Sequence, residues 1–449
     1  MSDAPQPDKV KCYRAGTLSY TTFGLVQVFV WMLWGDFCFT LMEALIPSLV
    51  PLSLKMHNAT NTQIGLLVGS IPAAINFILN PIISTSSDRT RSRWGRRRPY
   101  LLFTSPFVAL FLILVGWGPE IGAWLADGLF RERFPVESVV IGVIAVFAVG
   151  FQLFNMFVAS VFYYIFADVV PQQFIGRFMA LFRVVGTAAS FVFAQFAIPH
   201  ARLHMGLIFT VIALIYLVSF TLMSIEVKEG EYPPPEPSPG LLHQFRSYFR
   251  ECFSISFFRW MFFGAALNNA SMVCRNMFNL LFATESLGLT LKQYGHVVAV
   301  NSLIAFLLFF PIGCLVDRFH PLRMYILGGV LIIAANVFGF YFAADYASFY
   351  ITMVLIGLTY VVQTASGLPM LVALYPHDRY GQFSSAGAMV SSVLLILANA
   401  GGGKFIDLFG YRYIFVWDFA FTLLATCSML VVYRKWRKNG NRAPEVPAG

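Results

Sequence analysis

Charged side chains are scarce in this sequence. Of its 449 residues, only 12% are Asp, Glu, Lys or Arg, whereas 58% are apolar. A soluble globular chain carries about 25% charged residues, so this composition excludes an ordinary soluble domain. The mean hydropathy of +0.69 supports the same conclusion. The composition therefore predicts a protein that crosses a lipid bilayer several times.

Signatures of metal, nucleotide and nucleophile chemistry are also lacking. The six cysteines have no metal-type spacing, and the seven histidines form no HExxH pattern. The stretch GGGK at 401–404 has neither the following Ser or Thr nor the preceding strand of a phosphate loop. The sequence therefore predicts neither an enzyme nor a bound cofactor or metal.

Long apolar segments take up most of the chain, and each is long enough to cross a hydrocarbon core of about 30 Å. Twelve can be delimited, at 22–50, 62–86, 99–118, 138–167, 174–198, 204–226, 257–282, 291–316, 322–344, 347–372, 380–402 and 411–433. The sequence therefore predicts an all-α membrane protein with 12 transmembrane helices.

Lys and Arg residues lie mainly on one side of these predicted helices. With a cytoplasmic N-terminus, 22 of the 31 fall in cytoplasmic segments, 7 in outer segments and two within apolar segments. Cytoplasmic loops of membrane proteins are rich in Lys and Arg, so both termini are predicted to be cytoplasmic. The net charge of +9 is then a topology signal, and no nucleic-acid partner is predicted.

A Pro-rich polar stretch, KEGEYPPPEPSPG at 228–240, divides the apolar segments into two groups of six. The loops at 86–100 and 313–325 both contain Asp-Arg followed by further cations, which is a weak internal repeat. Two pseudo-symmetric six-helix bundles with a site between them are a transporter plan. The predicted limits are a cytoplasmic tail 1–21, a first bundle 22–226, a cytoplasmic linker 227–256, a second bundle 257–433 and a cytoplasmic tail 434–449.

Two acids, Asp36 and Glu43, interrupt the first apolar segment. A charge at the bilayer centre costs about 2.5–3.5 kcal/mol on insertion scales. The seven-residue spacing places both side chains on one helix face, about 10.5 Å apart along the axis. This separation suits two sites along a water-filled path, where one acid contacts a substrate and the other carries a proton. The alternative is that each acid only holds neighbouring helices together.

The loop TRSRWGRRRPYLL at 90–102 and the twelve-helix plan resemble the major facilitator superfamily. The loop is similar to that of the glycoside–pentoside–hexuronide:cation symporters, the melibiose permease group, and to that of plant sucrose transporters. The resemblance implies the major facilitator fold and a monomeric, multi-pass transporter of the plasma or inner membrane. It also implies a small-molecule substrate, a sugar or a glycoside.

The resemblance implies roles for residues of the first half. An Asp in the first helix of melibiose permease binds sugar hydroxyls, and Asp36 falls at that place. An Arg in the fifth helix of that group also contacts sugar, and Arg183 lies in a similar place. Trp34, close to Asp36 in sequence, would offer an aromatic face to the C–H groups of a sugar.

Three acids of the resembling group are missing here. The cation-binding places of its second helix hold Asn76 and Asn80, and the sugar-binding place of its fourth helix holds Asn155. A sodium site built on carboxylates is therefore not expected. The coupling ion is expected to be H⁺, carried by Glu43 or Asp36, and Asn155 remains a candidate for substrate binding.

Polar residues of the second half complete the predicted site. Arg275 cannot shed its proton, so within a membrane it needs a carboxylate, carbonyl groups or a ligand. It lies among amides that include Asn268, and both are predicted to face a cavity, with Gln363 as a weaker candidate. The alternative is that the amides join neighbouring helices.

A cytoplasmic gate is predicted from charges in the loops. An Asp at a helix end can pair with Arg or with a facing helix N-terminus, and such pairs can break and re-form between access states. The predicted gate comprises Asp88, Arg89, Arg93, Arg98, Asp168, Arg177, Asp317 and Arg318. The remaining arginines of the first loop, Arg91, Arg96 and Arg97, are interpreted as topology signals only.

The predicted function is secondary active transport by alternating access, as a proton-coupled symporter of a sugar or glycoside. One alternative is proton-coupled efflux of a more apolar metabolite or drug, because the same fold and acids permit it. A second alternative is a membrane sensor or assembly factor that transports nothing.

Overall fold

The computed structural model describes residues 13–15, 17–90, 92–129, 133–230, 252–376 and 380–444. These residues are almost entirely helical. The sheet among them is an antiparallel hairpin of β1 (Tyr13–Ala15) and β2 (Leu18–Tyr20). The all-α class predicted from the sequence is confirmed.

The first half of the described chain is a bundle of helices around a shared apolar core. Its helices are α1 (Thr22–Met56), α2 (Asn61–Gly65), α3 (Ile71–Arg89), α4 (Arg98–Gly116), α5 (Gly118–Gly128), α6 (Val136–Val169), α7 (Ile175–Val192) and α8 (Ala201–Glu226). The π-helical segment Leu66–Ser70 joins α2 to α3. The π-helical segment Phe193–Ala197 continues α7, and α4 lies against both α6 and α8.

The second half forms a similar bundle. Its helices are α9 (Ser256–Leu281), α10 (Leu291–Phe319), α11 (Pro321–Phe342), α12 (Tyr346–Leu374), α13 (Tyr380–Phe409) and α14 (Ile414–Lys438). The bundle starts one residue before the predicted limit, and α14 continues past the predicted end at 433. Residues 231–251 of the predicted linker lie outside the described residues.

The two halves share a signature at corresponding places. Thr60 caps α2 and Thr290 caps α10, and each forms a capping box with a glutamine three residues later, Gln63 and Gln293. In a capping box the side chain of each partner satisfies a backbone N–H group of the other. The first box starts the continuous helical stretch Asn61–Asn80, and the second starts α10. They therefore add to the weak internal repeat seen in the loops.

Ten stretches of the described chain are long and apolar enough to cross a membrane. One of them, Leu181–Glu226, covers α7 and α8 together. Helix α9 is not among the ten, and it contains two arginines, Arg259 and Arg275, and four asparagines. The count of twelve spans and the orientation of the chain stay predictions.

The described part of the first-half loops contains a charge network at the end of the bundle where α6 ends and α4 begins. Asp168 accepts hydrogen bonds from Arg97 Nε and from Arg96 Nη2, the latter at 2.6 Å. Arg98 donates from Nη2 to the backbone oxygen of Ile225 at 2.9 Å. The interpretation of Arg96 and Arg97 as topology signals only is wrong, because both are hydrogen-bonded partners of Asp168.

The remaining residues of the predicted gate are dispersed at this end. Arg93 is exposed, and Asp317 and Arg318 line a groove of about 460 Å³ in the second half together with Trp436. The side chains of Asp88, Arg89 and Arg177 lie outside the described residues. The described ion pairs at this end join Asp168 to Arg96 and to Arg97, and all three residues belong to the first half.

Glu229 caps the N-terminus of α4 from a distant part of the chain. Its carboxylate accepts the backbone N–H groups of Arg96, Arg97 and Arg98 at 3.0, 2.9 and 2.7 Å. Helix α4 has no side-chain cap at its own first residues, so an acid supplied from elsewhere satisfies donors that the helix cannot satisfy itself.

Replacing Glu229 by Gln is expected to lower the free energy of unfolding by about 1 kcal/mol, because a neutral amide oxygen is a weaker acceptor at a helix N-terminus and solvent screens part of the charge. Thermal unfolding in detergent would measure the change. Glu226→Gln is the matched control, since Glu226 makes one exposed hydrogen bond to Gln27. Equal unfolding temperatures for the two variants would contradict the cap.

Candidate functional site

The two acids of α1 lie in different surroundings on one face of the helix. Asp36 is only 1% exposed, and its Oδ2 atom has no hydrogen-bond partner among the described residues. Glu43 is exposed, although it lies near the middle of a helix of 35 residues. A carboxylate at that depth needs polar partners or water, because lipid would leave it unsolvated.

Helices α6 and α7 place polar groups against these acids. Asn155 lies within reach of the Glu43 carboxylate, and its own Oδ1 atom is buried without a described partner. Tyr163, which is 48% exposed, lies within electrostatic range of Glu43, Asp36 and Arg183. The sequence analysis missed Tyr163, although its spacing of eight residues from Asn155 places both on one face of α6.

Arg183 is exposed and lies within electrostatic range of Asp36. No ion pair joins the two within the described ranges. Gly186, one turn further along α7, directly faces Asp36. The structure therefore brings Asp36, Glu43, Asn155 and Arg183 into one region of the first half.

Trp34 does not join this region. Two residues along a helix correspond to a rotation of about 160° between side chains, so Trp34 and Asp36 leave α1 on nearly opposite sides. Trp34 is 47% exposed and stacks on Phe37 with ring centroids 5.7 Å apart. It continues an exposed apolar stripe with Phe23 and Val30, which is suited to lipid.

A cavity of about 390 Å³ lies where the two halves meet. Pro47 of α1, one turn beyond Glu43, lines it, as do α9 amides Asn269 and Asn276 and the α13 residue Asn399. The other lining residues are Val68, Gly69, Ala73, Met272, Val273, Met277 and Leu395. The cavity therefore combines apolar walls with amide groups.

Asn268 lies elsewhere on α9. Its rotation from Arg275 is only about 20°, whereas Asn269 is about 120° away, so Asn268 lies on the side of Arg275 and not on the side of the cavity. The sequence analysis chose one amide residue too early. The adjacent residue, Asn269, is exposed and lines the cavity.

Arg275 is held within the second half by a buried ion pair. Its Nη2 atom lies 2.7 Å from Asp418 Oδ2 and its Nε atom 3.0 Å from the same oxygen. Nη2 also donates to Asn336 at 2.5 Å, while Tyr360 and Thr422 donate to Asp418 at 3.0 Å. The prediction that Arg275 faces the cavity is therefore corrected, since its guanidinium is committed to Asp418.

Gln363 is likewise a packing residue in this structure. It is 3% exposed, and it lies against Gly328 and Gly329 where α12 meets α11. In the first half, Asn80 accepts a hydrogen bond from the Ser160 hydroxyl at 3.1 Å, and Asn76 is half-buried. These asparagines are neutral where the resembling group has cation-binding acids.

The halves contact each other at the end opposite the charge network of Asp168, here called the distal end. Asp407 of α13 accepts the N–H groups of Asn61 and Thr62 at 2.9 and 2.8 Å and the Thr62 hydroxyl at 2.6 Å. These donors start α2, so a carboxylate of one half sits on a helix N-terminus of the other. The Tyr411 hydroxyl adds a bond to Asn61 Oδ1 at 3.0 Å.

Close backbone contacts accompany these hydrogen bonds. A Cβ atom at Gly65 would lie 2.3 Å from the Asn399 carbonyl oxygen, and one at Gly295 would lie 2.5 Å from the Ala194 carbonyl oxygen. The first contact joins α2 to α13, and the second joins the start of α10 to the π-helical segment after α7. The distal end is therefore closed along two separate interfaces.

Two helix bundles with a cavity of apolar walls and amide groups between them, closed against each other at one end, define a membrane transporter of the major facilitator fold. A bacterial homologue of the human lysosomal transporter Spinster, in an inward-facing state, superposes with a TM-score of 0.68 at 14% identity and covers 96% of this chain and 100% of its own. The nucleoside transporter NupG superposes with a TM-score of 0.63 at 11% identity, covering 91% of this chain and 99% of its own. At such identities the likeness shows the fold alone.

The chain belongs to the family described as MFS/sugar transport protein, whose model matches residues 54–433. The predicted major facilitator fold and multi-pass membrane location are thus confirmed, whereas membership of the melibiose permease group stays a prediction.

Local relatives carry sugar-transport names. The general alpha-glucoside permease of Schizosaccharomyces pombe is 26% identical over 180 residues, which cover 38% of this chain and 32% of the permease. The proton-associated sugar transporter A of Homo sapiens is 37% identical over 82 residues, which cover 18% of this chain and 11% of that protein. The matched regions therefore span about a third or less of these relatives.

Proposed function

We propose that this chain is a secondary active transporter that carries a sugar or glycoside together with a proton. The observation that carries the proposal is the interior face of α1, where an exposed and a buried carboxylate follow each other on one side. Ionisable groups inside a membrane are costly and mark substrate or proton pathways. The family and the names of the two relatives support a sugar as substrate.

The cavity chemistry suits a sugar. Sugar hydroxyls need paired donors and acceptors, and carbon–hydrogen faces need apolar walls. Asn269, Asn276 and Asn399 of the second half supply polar groups to the cavity, and Glu43 lies one turn from Pro47, which lines it on the side of the first half. Met272 and Leu395 belong to the apolar wall.

The closed distal end supports alternating access. With a cytoplasmic N-terminus, the closed end is the outer one, so the structure corresponds to an inward-facing state. The substrate would then leave toward the cytoplasm when the distal contacts are formed. Moving one charge through 100 mV supplies about 2.3 kcal/mol, which is enough for useful accumulation.

Replacing Glu43 by Gln is expected to reduce sugar uptake about tenfold or more, because a lost charged partner in a sugar site costs about 1–3 kcal/mol. Uptake of labelled glucosides and sucrose into proteoliposomes, with and without a pH gradient, measures the effect. Glu137→Gln, at an exposed helix start, is the matched control. Full uptake by the Glu43 variant, or no sugar transport by the parent across the panel, would refute the proposal.

A second candidate is proton-coupled efflux of a more apolar metabolite or drug. Most of the residues lining the cavity are apolar, including Pro47, Val68 and Ala73. Efflux predicts that a hydrophobic dye is pumped out against its gradient and that glucosides do not compete. Saturable glucoside uptake would exclude it.

A further inference from the structure

Asp36 faces a small hollow between α1 and α7. A Cβ atom added at Gly186 would lie 3.6 Å from Asp36 Oδ2 and 3.5 Å from Thr40 Oγ1. Both oxygens therefore border the space that a side chain at Gly186 would otherwise fill. Thr40 lies one turn from Asp36 on the same helix, so α1 contributes two side-chain oxygens to the hollow.

The hollow contains an unsatisfied carboxylate oxygen. Asp36 is 1% exposed, and Oδ2 has no partner among the described residues. Burying an ionised carboxylate without compensation costs many kcal/mol, so such a group binds a cation or carries a proton. Glu43 does not share this constraint, because its side chain is accessible and the Asn155 side chain lies within reach of its carboxylate.

We propose that the hollow bordered by Asp36 Oδ2, Thr40 Oγ1 and Gly186 is the binding site of the coupling proton, and that Glu43 serves the substrate side. This assignment rests on the proposed function. It separates two roles that the sequence leaves shared between the acids. It also assigns Thr40 and Gly186 to the proton site, where the sequence motifs do not place them.

The step itself is a proton transfer. An O–H bond forms at Asp36 Oδ2 as an O–H bond of hydronium breaks, and water remains. Release on the other side of the membrane reverses the step. Sodium fits the hollow less well, because two oxygens at one point are far fewer than an oxygen-binding cation usually gathers.

The groups that surround Asp36 set the pH response of the site. On α1 itself Glu43 repels a negative Asp36, while Arg183 from α7 attracts it and Tyr163 from α6 lies within range of all three charges. Helix α8 presents Ser219 and Met223 near the site, Tyr216 within electrostatic range of Glu43, and the acid Glu226 only at Gln27, nine residues before Asp36. Helix α9 presents the neutral Asn269 and Asn276 at Pro47.

Gly186→Ala tests the hollow without a steric clash. The added Cβ would make ordinary van der Waals contacts at 3.5 and 3.6 Å, so it excludes water from the hollow but does not displace α7. Gradient-driven accumulation of the sugar is expected to fall about tenfold more than exchange of labelled sugar without a gradient. Gly142→Ala on α6, which meets open space, should behave like the parent.

Asp36→Asn and Thr40→Val complete the series. Asp36→Asn should remove the pH dependence of accumulation, and Thr40→Val should move its midpoint. Glu43→Gln should raise the KM for sugar and keep a pH dependence, with the midpoint moved to lower pH because a charge that repels a negative Asp36 is lost. Unchanged accumulation and pH dependence in Asp36→Asn, or accumulation driven only by a sodium gradient, would overturn the assignment.

Infrared difference spectra of the purified protein give a readout that needs no sugar. A titrating band of a protonated carboxylic acid is expected in the parent and should be absent from Asp36→Asn. The same band in both proteins would overturn the proton site. If the parent transports no sugar of the panel, the proposed function fails, while the spectra still decide whether Asp36 binds the proton.

Discussion

Replacing Asp418 by Asn is expected to lower the free energy of unfolding by about 3–5 kcal/mol, because removing one partner of a buried ion pair leaves the other charge uncompensated. Asp418 is 0% exposed and Arg275 8%. The bonds between Arg275, Asp418, Asn336 and Tyr360 connect α9, α11, α12 and α14. One substitution therefore weakens the packing of four helices together.

Thermal unfolding followed by intrinsic fluorescence in detergent would measure this loss. The double variant Arg275→Met with Asp418→Leu should recover much of the stability, since apolar residues of similar volume often replace a buried ion pair without loss. Asp127→Asn on the short helix α5 is the control for an acid outside the pair. An Asp418→Asn protein that unfolds at the parent temperature would show that the pair is not stabilising.

Replacing Gly65 by Ala is expected to prevent the distal end from closing. The new Cβ would lie 2.3 Å from the Asn399 carbonyl oxygen. The backbone fixes the positions of both atoms. Rotation of a side chain cannot relieve this clash, so α2 and α13 must separate. The arrangement that is open at the distal end should then predominate, because a two-state equilibrium shifts by the full cost imposed on one state.

Distance measurements between spin labels would detect the change. Met56 and Leu408 are 52% and 69% exposed at the distal ends of their helices, in different halves. Labels at these two positions should move apart in Gly65→Ala and stay at the parent distance in Gly313→Ala, which meets open space. Asp407→Asn should give a smaller opening, since Asp407 is exposed and solvent screens its bonds. An unchanged distance in Gly65→Ala would contradict closure at this contact.

The sequence was informative wherever a pattern is local. Helical periodicity placed Asp36 and Glu43 on one face. The same period shows that Trp34 leaves the helix on nearly the opposite side, so that error came from judging proximity along the sequence.

The pairing of Arg275 could not be read from the sequence. Its partner Asp418 is 143 residues away, and no spacing rule connects residues on separate helices. The difference in exposure between Asp36 and Glu43 was equally hidden, because it depends on a neighbouring helix, where Gly186 faces Asp36. Glu229 and the N-terminus of α4 are a third case, since the acid comes from the far end of the first half.

The distance between Arg275 and Asp418 has a consequence for biosynthesis. Helix α9 is not apolar enough to count among the ten candidate spans, and its guanidinium is compensated by the last helix of the bundle, 143 residues later. At about 5–20 residues per second the ribosome needs roughly 10–30 s to reach that helix. Until then the incomplete second bundle contains the Arg275 guanidinium without Asp418. We therefore expect a chain that stops before α14 to be recognised as unassembled and degraded.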